Sequence, residues 1–149
     1  MSRKKGDLPL EVTHEVRNRC LCLHLQRSAR AIARRFDEAL RPCGLTSGQF
    51  SLLISLNRPE SPRINEVARL LAMDRTTLTA NLKPLERRGL VEIVVDSDDR
   101  RRRRLRLTDE GRYILISALP VWRSTHAEID RLLPDTDPAR LRGDLRALT

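Results

Sequence analysis

The sequence predicts a mainly α-helical chain carrying one small β-hairpin, and three observations predict it. Apolar residues recur at helical spacing over long stretches near both ends, as in Leu21, Leu25, Ile32, Phe36 and Leu40. One β-branched run, Val91-Glu92-Ile93-Val94-Val95, is followed after a turn by a period-two run, Arg104-Leu105-Arg106-Leu107. The 149 residues, 40% of them apolar, suit one domain built on one core.

Residues 1–10 read as a loose basic tail. A first helix is expected from Val12 to Arg41, its apolar stripe (Leu21, Leu25, Ser28/Ala29, Ile32, Phe36, Leu40) backed by Arg27, Arg30, Arg34 and Arg35, until Pro42 and Gly44 stop it. Thr46-Ser47-Gly48-Gln49 fits a capping box that opens a second helix through Phe50, Leu53, Ile54 and Leu56. After a proline-marked loop, a short helix from Asn65 to Ala72 should bury Val67, Leu70 and Leu71, although Arg63 is a poor cap for it.

Met73-Asp74 reads as a tight turn, with Asp74 capping a helix from Arg75 to Arg88 that buries Leu78, Leu82 and Leu85. Pro84 removes an amide from this helix, which either bends it or marks a local irregularity. Gly89 supplies a left-handed end. The hairpin follows, turning over Asp96-Ser97-Asp98-Asp99. Thr108 then caps a long helix whose stripe is Ile114/Leu115, Ala118, Val121/Trp122, Thr125, Ile129 and Leu132/Leu133, with a kink expected at Pro120. Pro134 to Pro138 breaks it, and Ala139 to Leu148 can form a last helix.

Short helix, tight turn, second helix, glycine and basic hairpin make the order of a winged helix-turn-helix. The charge agrees. The formal net charge is +9, and residues 75–106 hold ten basic groups against five acidic ones, a balance that favours a polyanionic partner. The aromatic residues are few (Phe36, Phe50, Tyr113, Trp122). Single-stranded nucleic acid and RNA are usually held on aromatic stacking platforms, so duplex DNA is favoured.

The helix from Arg75 to Arg88 presents Arg75, Thr76, Thr77, Thr79, Asn81, Lys83 and Arg87 away from its leucines. Arginine and asparagine can read guanine and adenine in the major groove, and threonines suit phosphate or the thymine methyl. Arg100, Arg101, Arg102, Arg103 and Arg104 cannot all fill a core. They read either as a solvated charge run or as a wing along the minor groove, where a narrow groove attracts arginine.

With these residues in view, the chain resembles the MarR-type family of multiple antibiotic resistance regulators over nearly its whole length. The resemblance rests on Gly44-Leu45-Thr46 with Gln49-Phe50, on Asp74 through Thr79, on Leu82 with Leu85 through Val91, on Asp99-Arg100-Arg101, and on Leu107-Thr108 with Gly111. It implies a single domain over 1–149, with dimerisation helices at 12–42 and 108–149 and a DNA-binding lobe at 46–107. It implies a homodimer reading a pseudo-palindrome, in which Asp99 orients Arg101 for the minor groove. It also implies a ligand cleft between the dimerisation helices and the DNA-binding lobe.

Cys20 and Cys22, two apart on the expected helix, would lie about 200° apart around its axis and could not bond without unfolding it. Cys22, 24 residues before Thr46, sits where the resemblance places the reactive cysteine of the family's peroxide-sensing branch. It reads either as that thiol, with Arg19 or Arg27 lowering its pKa, or as a buried small apolar residue. Cys43 reads as structural or exposed. If no thiol senses, a small aromatic or acidic effector is the alternative, with His24, Arg27 and Trp122 lining its cleft.

No Gly-x-Ser-x-Gly, phosphate loop or metal-ligand spacing occurs, so the sequence predicts no enzyme, cofactor or metal site. No apolar run approaches membrane-spanning length, and the basic start lacks the apolar segment of a signal peptide, so a cytoplasmic protein without a membrane partner is expected. The combined reading is a transcription regulator of the repressor type, released from DNA by a ligand or oxidant. A non-specific, nucleoid-type DNA binder using the same wing is the rival.

Overall fold

The computed structural model describes Gly6 and residues 8–149. Most of the tail expected over residues 1–10 lies outside the described residues. Seven α-helices and one two-stranded antiparallel sheet are described: α1 (Leu10–Arg19), α2 (Leu21–Leu40), α3 (Ser47–Ser55), α4 (Ile64–Leu70), α5 (Arg75–Arg87), β1 (Val91–Val95), β2 (Arg103–Leu107), α6 (Asp109–Arg131) and α7 (Pro138–Arg146).

The first expected helix is two. Cys20 adopts extended backbone (φ −72°, ψ 103°) and its sulfur accepts the Leu23 amide at 3.4 Å, so it ends α1 and caps α2. The apolar pattern gives the physical reason. Val12, Val16 and Cys20 continue one line, whereas Leu21 and Leu25 begin another a residue later. One residue is about 100° of helix rotation, so a single straight helix could not turn both lines toward one neighbour. The break also removes the expected geometry of the two cysteines, because only Cys22 now lies in a helix.

The core gathers Phe36 and Leu40 of α2 with Phe50, Leu52 and Leu53 of α3, Val67 of α4, Leu78, Leu82 and Leu85 of α5, Leu105 of β2 and Leu115 and Ala118 of α6. Helix α3 has the predicted reciprocal cap: the Gln49 amide donates to Thr46 Oγ1 at 3.2 Å and the Thr46 amide donates to Gln49 Oε1 at 3.1 Å. Two of the apolar positions expected in α3 and α4 are outside: Ile54 is 42% and Leu70 57% exposed, while Leu52 is buried in the core. Helix α4 starts and stops earlier than predicted. Its first turn is held by Glu66, whose carboxylate accepts the Arg63 amide at 2.7 Å. Reaching back from the third helical position, this carboxylate does what Arg63 cannot. Leu70 is therefore the last residue of the helix, facing outward rather than into the core.

The turn between α4 and α5 passes through Ala72 at φ 50°, a left-handed conformation that costs an L-residue roughly 1–2 kcal/mol. Asp74 then caps α5 as predicted, accepting the Thr77 amide at 2.8 Å and the Thr77 hydroxyl at 2.7 Å. Those bonds hold the Asp74 carboxyl below its usual pKa, the amide contributing most. Helix α5 continues through Pro84 to Arg87, and Gly89 follows at φ 70°. Helix α6 likewise continues through Pro120.

The hairpin register pairs Val91 with Leu107 and Val95 with Arg103. Its strand β2 has a second neighbour: Arg63 bridges Arg104 in antiparallel fashion and the Leu105 amide donates to Pro62 O at 2.9 Å. The hairpin root is pinned to α6 at Gly111, where an added Cβ would lie 2.2 Å from Leu90 O and 2.8 Å from Leu107 Cδ1. Thr108 caps α6 by accepting the Gly111 amide at 3.0 Å and donates its hydroxyl to Gly89 O at 2.7 Å, so one side chain fastens three elements.

Candidate nucleic-acid interface

Helix α5 turns its leucines inward and leaves Arg75, Thr76, Thr77, Thr79, Asn81, Lys83 and Arg87 exposed. Arg75, Thr79, Lys83 and Arg87 follow one another at i, i+4 and so form one line along the outer face. Two hydroxyls are already engaged: Thr77 in the Asp74 cap, and Thr79, which donates to Arg75 O at 2.8 Å. Asn81 lies on the flank toward α3, where it borders a small cleft with Thr46, Gly48, Gln49, Leu52 and Pro84.

The arginine run divides by role. Arg104 is half-buried and turned inward; its Nε lies 3.1 Å from Asp96 Oδ2 and it donates to Ser61 O at 2.7 Å. Arg63 donates from Nε to the same carboxylate oxygen at 2.9 Å. The Asp96 side chain is fully buried between these two guanidinium groups, and its other oxygen accepts the Asp98 amide at 2.9 Å. That amide, the Arg63 bond and the charge of Arg104 hold the carboxyl down to about 2 against the opposing effect of burial, and the same pair raises the pKa of Arg63. The clamp lies outside the predicted site. Arg63 and Asp96 are 33 residues apart and the strand between them carries no local signal of the contact.

Asp99 also departs from the role the resemblance implied. Its carboxylate accepts the Arg101 backbone amide at 3.0 Å, but the guanidinium it pairs with is that of Arg102, at 3.1 Å. It thus sets the backbone at Arg101 and leaves that side chain pointing to solvent. Arg103 donates to the carbonyl oxygens of Arg100 and Arg102. Among the described residues, the side chains of Arg100 and Arg101 make no ion pair or hydrogen bond, and both are exposed at the hairpin tip.

The expected sensing residues do not come together within the chain. His24 and Arg27 border a concave surface on α2 with Ser28, Arg30, Ala31 and Arg34. Trp122 lies elsewhere, stacked on Phe50 (ring centroids 6.1 Å, 15° between planes) and tilted against His126 at 5.0 Å. Cys22 is exposed, not buried in the core, and its sulfur accepts from Gln26 at 3.3 Å. Arg19 is paired with Glu15 at 2.9 Å. Cys43 is half-buried against the core. Among the described residues, no cluster of His, Cys, Asp and Glu could hold a metal ion, and no helix is long and apolar enough to cross a membrane.

Comparison with known proteins places this architecture. The sequence pattern of the MarR family matches residues 44–102. The transcriptional activatory protein BadR of Rhodopseudomonas palustris is 32% identical over 135 residues, covering 87% of this chain and 77% of BadR. The M. tuberculosis transcriptional regulator MosR, solved in complex with DNA, is 38% identical and superposes with a TM-score of 0.77 over 87% of this chain and 92% of its own. CouR from Rhodococcus jostii bound to p-coumaroyl-CoA matches at 25% identity, a TM-score of 0.73, and 83% and 87% coverage. The family pattern over the helix-turn-helix and wing, with relatives matched over most of their length, assigns this chain to the MarR family of transcription regulators.

Proposed function

We propose that the protein binds a pseudo-palindromic operator in duplex DNA as a homodimer, in the cytoplasm, and that a small ligand or an oxidant releases it. The observation that carries this reading is the outward line of Arg75, Thr79, Lys83 and Arg87 beside a hairpin tip whose Arg100 and Arg101 side chains are unpaired among the described residues. Helix α5 enters the major groove, where Arg75 and Thr76 reach base edges. Arg101 enters the adjacent minor groove. Lys83, Arg87 and Arg100 hold phosphates. Thr77 positions the helix start through its cap, and Arg102 and Arg103 hold the wing in shape. MosR, solved in complex with DNA, supports DNA as the partner.

The dimer reading rests on apolar surface left uncovered at the two chain ends. Leu10, Val16, Leu21, Leu132, Leu145 and Leu148 are each between 39% and 64% exposed. Contiguous apolar surface on helices is a mark of association, and the ranges 12–42 and 108–149 supply the two-fold interface, leaving 46–107 as the DNA-binding lobe. The effector reading rests on the α2 surface of His24, Arg27, Arg30 and Arg34, whose charges suit an acid. CouR, with its aromatic acyl thioester, supports that class. Trp122 belongs to this reading only through a shift of α6. Cys22 is the oxidant alternative, because it is exposed. We read the sign of regulation as repression, although BadR is an activator.

Selection of bound sequences from a random duplex pool tests the reading. Specific regulators prefer their site over random duplex by about 10³-fold or more. A selected, two-fold symmetric sequence bound that much more tightly is the expected result, and a ratio near one would instead establish the nucleoid-type reading.

A further inference from the structure

A cleft of about 330 Å³ lies between α4, the start of α5 and the wing, and its walls carry Arg63, Arg69, Arg75, Arg101, Arg102 and Arg103. Two of the six are neutralised inside the protein, Arg63 by Asp96 and Arg102 by Asp99. Arg103 is turned to carbonyl oxygens. The one carboxylate in the lining, Glu66, has an oxygen committed to the Arg63 amide. Arg69, Arg75 and Arg101 therefore face the cleft with no carboxylate partner among the described residues. Like charges gathered this way attract an anion between them.

The shape of duplex DNA identifies that anion. A major groove and the neighbouring minor groove are separated by one sugar–phosphate strand. A protein with a helix in the first and a hairpin in the second must straddle that strand, and the space between helix and hairpin is where it passes. Here that space is the arginine cleft. Its width is set by the Asp96 clamp, which ties Arg63 ahead of α4 to Arg104 in β2.

We propose that the cleft is a phosphate site, occupied on DNA by a backbone phosphate of the duplex, with Arg69 as its contact from α4. The proposal rests on the DNA-binding reading above and adds a residue outside the reading helix and the wing. Arg69 is exposed and its guanidinium makes no hydrogen bond or ion pair among the described residues, so its replacement leaves the fold intact.

The test is Arg69→Gln, measured by fluorescence anisotropy on the selected operator and on a random duplex across a salt series, and by titration of inorganic tripolyphosphate into the free protein. Both duplexes should weaken by the same factor, about tenfold, as expected for a phosphate contact that carries no sequence information. The slope of log K against log salt should fall by about 0.9 per subunit. Tripolyphosphate should bind the free wild type more tightly than the free variant. An unchanged slope and an unchanged tripolyphosphate affinity overturn the site. An unchanged slope with a weakened tripolyphosphate affinity overturns the duplex phosphate as occupant and leaves a site for free phosphates. A wild-type protein that binds no duplex at all refutes the underlying DNA-binding reading, and direct titration of tripolyphosphate into wild type and variant then decides the cleft separately.

Discussion

At the residue scale the arginine run separates into side chains that build the wing and side chains that reach out from it. Arg104 is spent on Asp96 and Ser61, whereas the Arg101 side chain is unpaired among the described residues and is placed through its backbone. Arg101→Ala should therefore weaken duplex binding roughly tenfold at moderate salt with no change in melting temperature. Arg104→Ala should lower the melting temperature first. Anisotropy and thermal denaturation on both variants check this, and equal effects of the two would contradict the division. Asp96 yields a pH prediction. Its folded pKa, about 2, lies below the ordinary carboxylate value of 3.8, so it favours the folded state fully above the ordinary value and loses that effect as pH falls through about 2. Asp96→Asn should melt earlier than the wild type at pH 5 to 7. The gap should close as pH is lowered from about 4 toward 2, followed by circular dichroism. How far these residues could be read from the sequence depends on distance along the chain. The caps of Thr46, Asp74 and Thr108 act over three residues and were legible. The Asp96 clamp joins segments 33 residues apart and was not.

At the element scale the wing is a three-sided object: β1 and β2 pair with each other, Ser61 to Arg63 runs along the outer edge of β2, and α6 seals the root. The seal has no room at Gly111, where an added methyl would meet Leu90 O at 2.2 Å. Gly111→Ala should destabilise the fold by about 1–3 kcal/mol in urea denaturation, the usual cost of overpacking. It should also loosen the hairpin. Wild-type stability in that variant would show that the root adjusts freely. Elements with strong periodicity or β-branched runs were legible in sequence: β1 spans the predicted residues, and Leu78, Leu82 and Leu85 are buried as expected. The break at Cys20 was not, because no glycine or proline marks it and its only signal is a one-residue phase shift between two apolar lines. The outward turn of Leu70 was missed for a related reason. Periodicity tells which residues share a face but not where a short helix ends.

At the scale of the whole molecule, the fold leaves its two ends unfinished. The core joins the segment from α3 to β2 to Phe36 and Leu40 of α2 and to Leu115 and Ala118 of α6, while α1, the first half of α2, the end of α6 and α7 expose leucines and valines. That asymmetry is what a shared helical base between two copies would look like from one copy alone. The expected effector residues, by contrast, are not gathered within the chain: His24 and Arg27 lie together on α2, whereas Trp122 stacks on Phe50. If two lobes are held rigidly on a common base, their recognition helices must meet half-sites about one helical turn apart, 34–36 Å. The most direct test is to take the selected operator and insert about five base pairs, half a helical turn, between its half-sites. The account predicts that affinity falls to the level of random duplex, and that insertion of a full turn does not mimic the half-turn loss through length alone but restores part of the binding. Undiminished affinity for the half-turn insertion would contradict it.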